Sequence, residues 1–303
     1  MKRTLRLTYD LETVTTGFSL SADYWHGVML GTLALARELE ERGLKATFFL
    51  ALSRKTALIS QKEFLKMLET LISSLRGFQN IQLQPHIHAF DLPVGFACKS
   101  DYFSDYSEVQ QMEMLAYAKR FFSNHGLNAT AFRPGGYHLT DQYYRVLAKS
   151  GFTASSVLDT SLPPHIDLVD GKINAVDHEF NRNGIREVPV TAVRINSIKH
   201  KVETVNLSPD FFALETIREQ MEQLQSLTIN AHSFSMFIPR LMRETHKGQT
   251  AFNMKFMLFE RPFNRFLVKR GIYPMYKDTM AGKENIRWLD YFAEQNYDTE
   301  WLV

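Results

Sequence analysis

The sequence predicts an α/β protein built as a distorted or incomplete (β/α) barrel of about seven parallel strands. Three observations carry this. Short apolar or alternating runs recur along the chain, with segments of helical spacing between them. Glycines close several of the helical segments. Polar residues fall just beyond successive apolar runs, at the strand ends where barrels carry their chemistry.

Leu5, Leu7 and Tyr9 alternate with Arg6 and Thr8, which predicts a first strand ahead of a polar loop from Asp10 to about Ser21. Leu30, Leu33, Ala34 and Leu39 fall at helical spacing up to Gly43. Ala46 to Leu50 reads as a short apolar strand, and Phe64 to Leu75 as a helix before Gly77. Ile81 to His86 is the third strand, and Val109 to Asn124 a helix stopped by Gly126. Thr130 to Phe132 is a strand, and Gln142 to Lys149 a helix before Gly151. Thr153 to Val157, Glu187 to Val190 and Leu227 to Ala231 complete the strands. One helix is expected from about Pro209 to Gln225, another from Ile286 to Gln295.

The chain has 303 residues, which suits one large α/β domain or two smaller ones. A net charge of +2 gives no global attraction to nucleic acid. Cys98 is the only cysteine, which excludes an intrachain disulfide and a cysteine-based zinc site. Any metal must therefore sit on His, Asp and Glu. No stretch approaches the roughly 18 apolar residues that cross a bilayer, and the N-terminal residues lack a signal-peptide pattern. The expectation is a cytoplasmic protein of one domain, 1–303.

Residues 235–283 form an aromatic and basic insertion, with Phe252, Phe256, Phe259, Phe263 and Phe266 among Lys255, Arg261, Arg265, Lys269 and Arg270. It reads either as a helical segment packed on the barrel or as a lid or peripheral membrane surface facing an anionic or lipid-linked substrate.

His86-Ile87-His88 is the most informative motif. Residues two apart on a strand point the same way, so both imidazoles can reach one metal ion. Such a pair is weak alone. Here the first strand ends in Asp10-Leu11-Glu12, the fourth in Arg133-Pro134-Gly135-Gly136-Tyr137 and the last in His232. Each has a structural explanation by itself, but together they mark a site.

These residues give the chain a family resemblance. Leu7-Thr8-Tyr9-Asp10-Leu11-Glu12, Lys45-Ala46-Thr47-Phe48-Phe49, the histidine pair, Phe132-Arg133-Pro134-Gly135-Gly136-Tyr137 and Ala231-His232-Ser233 occur in that order. This order resembles the polysaccharide deacetylase superfamily, the NodB-homology domain, over roughly residues 5 to 235. The resemblance implies a distorted barrel with one divalent metal that removes acyl groups from sugars. It implies Asp10 as catalytic base, Arg133 as the group that orients it and His232 as general acid. The chain departs from the pattern twice. Leu11 stands where the family has a metal-binding aspartate, which moves that role to Glu12. The family spaces its histidines four apart, and here Phe90 stands at that place, with Asp91 near enough to substitute or to support.

The expected centre is thus Glu12, His86 and His88 around zinc, with cobalt, nickel or iron as alternatives. Gly136 is the candidate oxyanion donor through its N–H, and Tyr137 either stacks on a sugar ring or packs. His138 and His165 are weaker candidates for the cleft, and Asp159 either pairs with Arg133 or caps a loop. The implied reaction is hydrolysis of an N-acyl group, acetyl first, on an amino sugar of a surface polysaccharide or its precursor. That sugar is free or carried on lipid, nucleotide or glycan. Two alternatives stand beside it. One is a deformylase or other amide hydrolase on a lipid- or nucleotide-linked sugar, the other a non-catalytic carbohydrate-binding protein on the same fold.

Overall fold

The computed structural model describes residues 3–12, 23–54, 59–137, 140–157, 166–167, 179–196, 202–236, 243–246, 249–252, 280–295 and 297–303. The chain runs β1 (Arg3–Leu11), α1 (Asp23–Glu41), β2 (Ala46–Ala51), α2 (Gln61–Leu75), β3 (Ile81–Ile87), α3 (Glu108–Asn124), β4 (Ala131–Pro134), α4 (Asp141–Lys149) and β5 (Ala154–Ser155). It continues with β6 (Ile166–Asp167), β7 (Phe180–Arg182), β8 (Ile185–Glu187), β9 (Ala192–Asn196), β10 (Val202–Asn206), α5 (Leu214–Met221) and β11 (Ser226–His232). It closes with β12 (Arg243–His246), β13 (Gln249–Phe252), α6 (Met280–Glu294) and β14 (Tyr297–Thr299).

The main sheet has the order β11-β1-β2-β3-β4-β5-β8-β7, with β14 added on β1. From β11 to β8 every pairing is parallel, which gives the seven parallel strands expected of an incomplete barrel. β7 adds an antiparallel edge to β8. The sheet is curled but its ends do not pair as strands. Thr191 bridges them, its N–H donating to the Thr228 carbonyl at 2.9 Å.

Side-chain alternation gives the sheet an outer and an inner face. The outer faces meet α1, α2, α3, α4 and α6 in a continuous core that includes Leu7, Phe48, Leu71, Phe122, Tyr143 and Trp288. Inside the barrel, Phe49, Ala131, Ala154 and Val188 pack on Leu302 near the C-terminus. Leu302 and Val303 also bond to Thr47 and Gln82 in the N-terminal halves of β2 and β3, opposite the strand ends that carry the polar residues. Helix ends follow local chemistry. Ser60 with Glu63, and Ser107 with Gln110, form reciprocal capping boxes that start α2 and α3. Gly43 and Gly126 take φ of 64° and 63° just past α1 and α3.

The helix expected from Pro209 is shorter, because Pro209 and Asp210 form a turn and α5 begins only at Leu214. The strand expected over Glu187–Val190 ends at Glu187, and Val190 continues only as a single backbone hydrogen bond to Val157. Most of the 235–283 insertion lies outside the described residues, as do His138, Asp159 and His165. Within it, β12 and β13 pair antiparallel. No helix among the described residues is long and apolar enough to cross a membrane.

Candidate metal and catalytic centre

The parallel register assembles the site. Asp10 lies opposite His232 on β11, Thr8 opposite Asn230, and His86 opposite Arg133. Alternation puts Thr8, Asp10 and Glu12 on one face of the first strand and its exit, and His86 and His88 on the same face of the third. All eight predicted site residues lie at one end of the barrel. Asp10, Glu12, His86, His88, Arg133 and His232 are buried there.

Arg133 is the structural hub. It is fully buried, and its guanidinium lies 4.1 Å over the Phe49 ring. Nε donates to the Ser156 carbonyl at 2.8 Å. Nη1 donates to Asp10 Oδ1 and Asn230 Oδ1, each at 2.7 Å. Nη2 donates to Thr8 Oγ1 and Ser156 Oγ, each at 2.9 Å. All five N–H groups of the guanidinium are engaged, the condition for burying this charge. Asn230 completes a triangle, since its Nδ2 donates to Asp10 Oδ2 at 3.1 Å. Burial pushes the Asp10 carboxyl up, but neighbouring charge, the Arg133 guanidinium first, outweighs burial and holds it below its ordinary value.

Glu12 sits among three imidazoles. Its Oε2 lies 2.6 Å from His88 Nε2 and 3.4 Å from His86 Nε2, and its Oε1 lies 3.2 Å from His232 Nε2. Each ring is held at its other nitrogen by an acceptor. His86 Nδ1 lies 2.9 Å from the Arg133 carbonyl, His88 Nδ1 2.6 Å from Asp101 Oδ2, and His232 Nδ1 2.7 Å from Asp210 Oδ2. A carbonyl oxygen only accepts, so His86 carries its hydrogen on Nδ1 and offers a lone pair from Nε2. Burial moves the His86 pKa down, which keeps that ring neutral.

This arrangement fits a divalent metal. A buried His86 lone pair faces a carboxylate oxygen across 3.4 Å, beyond a good hydrogen bond. Two acceptors facing each other in a buried site are satisfied by a proton or a cation between them. Glu12, His86 and His88 place one ligand atom each within 4.8 Å of one another. A carboxylate and two imidazoles suit zinc and other first-row divalent ions.

Other expectations are placed as follows. Gly135 packs so closely under His88 that a Cβ there would overlap the imidazole. A Cβ on Gly136 would meet the Tyr102 ring. Tyr137, with φ of 54°, accepts a hydrogen bond from Asn230 Nδ2 at its hydroxyl. Asp91 does not join the cluster. It takes φ of 63° and its carboxylate holds Arg54 through two hydrogen bonds, so it ties the segment after β3 to the segment after β2 instead. The sequence reading missed Asn230, Asp101 and Asp210. Asn230 was findable, two residues before His232 on one strand face. Asp210 had been placed in a helix, and Asp101 lies in a polar loop with no periodicity.

No family model matches the chain, and no curated protein matches it. Solved structures do. A family 4 carbohydrate esterase from Streptomyces lividans in complex with acetate is similar at 13% identity and a TM-score of 0.41, over 89% of this chain and 91% of that one. A candidate polysaccharide deacetylase from Mycobacterium smegmatis is similar at 12% identity and a TM-score of 0.48, over 95% and 92%. A family 4 carbohydrate esterase pseudoenzyme mutant with restored activity is similar at 13% identity and a TM-score of 0.39, over 77% and 57%.

Proposed function

We propose that this chain is a metal-dependent carbohydrate deacylase of the polysaccharide deacetylase type, which hydrolyses an N-acyl group, acetyl first, on an amino sugar. The observation that carries the reading is the convergence of His86 and His88 Nε2 on the Glu12 carboxylate, beside an Asp10 held by Arg133.

Amide hydrolysis needs an activated water, a stabilised oxyanion and a proton for the leaving amine. Glu12, His86 and His88 would hold one divalent ion, zinc first, which polarises the acyl carbonyl and lowers the pKa of water. Asp10, ionised by its pairing with Arg133 and Asn230, accepts the proton of the attacking water. Arg133 and Asn230 fix both carboxylate oxygens, so the base keeps one orientation. The Gly136 N–H supplies an oxyanion donor, a group whose loss typically costs roughly 3–4 kcal/mol of transition-state stabilisation. His232 delivers a proton from Nε2 to the departing nitrogen, while Asp210 accepts from Nδ1–H and orients the ring. Tyr137 braces the base through Asn230, which favours its packing role over sugar stacking.

The test is elemental analysis of the purified chain together with acetate and formate release from a panel of N-acylated amino sugars. Bound metal with acyl release supports the reading. Bound metal without release from any panel member favours a carbohydrate-binding protein, and absence of binding to zinc, cobalt or nickel overturns the metal site.

A further inference from the structure

The loop after β3 returns to the site at one residue. Asp101 Oδ2 meets His88 Nδ1 at 2.6 Å from 13 positions along the chain. The Asp101 backbone is docked as well, since its carbonyl accepts from the Ala89 N–H at 3.2 Å. The loop is built to stay there. Ser100 N–H donates to the Tyr106 hydroxyl at 2.9 Å, and that hydroxyl donates back to the Ser100 carbonyl at 2.6 Å. Phe103 is buried against Phe132 and Tyr143, and Gln111 Nε2 holds the Phe103 and Tyr106 carbonyls.

His88 needs such a holder more than His86 does. It lies beyond the end of β3, so no strand pairing fixes its backbone. Its ring rests on Gly135 and stands edge-on to His86, with centroids 4.9 Å apart. Those contacts set the ring plane but not which nitrogen carries hydrogen. Glu12 Oε2 faces Nε2 at 2.6 Å and draws hydrogen to that nitrogen, so the Asp101 carboxylate is what keeps hydrogen on Nδ1 and lets Nε2 give its lone pair to a bound ion.

We propose that Asp101 is a positioning residue for the metal centre, fixing His88 in the Nδ1–H tautomer and aiming its Nε2 at the ion. The proposal rests on the metal reading of Glu12, His86 and His88. The Asp101 side chain is 40% exposed, so solvent screens its charge and its contribution is chiefly geometric. An amide acceptor in its place therefore restores part of the function.

The test is zinc affinity of the full chain by chelator competition, for the unsubstituted protein, Asp101→Ala and Asp101→Asn. It is paired with imidazole 15N NMR of the metal-free protein, the His88 signals being assigned with His88→Gln. Asp101→Ala is expected to weaken zinc binding roughly 10–100-fold and to shift His88 toward the other tautomer. Asp101→Asn should fall between it and the unsubstituted chain. Thermal melting with chelator present should be the same for all three, which separates positioning from folding. Zinc affinities within threefold of one another, or an unchanged His88 tautomer in Asp101→Ala, overturn the proposal while leaving the metal site standing. If the unsubstituted chain binds no zinc, the metal reading itself fails and the proposal falls with it.

Discussion

Arg133 and Asp10 meet at 2.7 Å across the barrel interior, although they are 123 positions apart and stand on strands separated by β2 and β3. Neither group is stable in that position alone. A buried carboxylate or guanidinium without a partner costs several kcal/mol, so the pair is retained as a unit. The proposed base is therefore coupled to the packing of the barrel.

Arg133→Met should lower stability by about 3–5 kcal/mol, because it leaves Asp10 buried without its cation. Arg133→Lys keeps the charge but not the fork that reaches Thr8, Ser156 and Asn230, and should still cost ~1–3 kcal/mol. Urea denaturation measures both. Two variants as stable as the parent would mean that Asp10 is not held by this pair.

Gly135→Ala should displace His88, since the added methyl occupies the space of its ring. The expected outcome is a fall in zinc content with the barrel still folded, read by metal analysis and circular dichroism. His86→Ala and His88→Ala should each lower occupancy sharply, and unchanged occupancy in either would separate that residue from the site.

Asp10→Asn should retain metal and lose acyl release by a factor of about 10²–10⁴, the usual contribution of a positioned base. Loss of metal in this variant would instead identify Asp10 as a ligand. Asn230→Leu should lower the rate while zinc content stays constant, because it frees one Asp10 oxygen and the Tyr137 hydroxyl.

Glu187 gives a pH signature away from the centre. Burial raises its carboxyl from 4.5 to about 7, against opposing hydrogen bonds from Ser155, the Val157 N–H and Tyr144 and the nearby charge of Arg133. The folded state therefore holds a proton that the unfolded chain releases at lower pH. Its stabilisation is complete below about pH 4.5 and is lost as pH rises through about 7, a change on the order of 3 kcal/mol. Glu187→Gln should remove that slope from urea-denaturation curves between those limits. An unaltered slope would mean that Glu187 is ionised in the folded protein at low pH.

The seven parallel strands were legible because each leaves a short apolar or alternating run, and the strand-end rule then located Asp10, Glu12, His86, His88, Arg133 and His232. Boundaries were less legible. Pro209-Asp210 resembles a helix start, and only packing shows it as a turn that aims Asp210 at His232. Asp91 illustrates the opposite error. Its nearness to His88 in sequence suggested a role at the metal, but a left-handed backbone turns it toward Arg54.

By itself the sequence determined the barrel class and the polar residues on each strand face, because alternation is a local property of the backbone. Tertiary structure decided which acceptor holds each imidazole: the Arg133 carbonyl for His86, Asp101 for His88 and Asp210 for His232. It also decided that Asn230 joins Asp10 to Arg133. Hydrogen-bond partners distant in sequence depend on parallel register and loop return, and neither leaves a periodic trace in the chain.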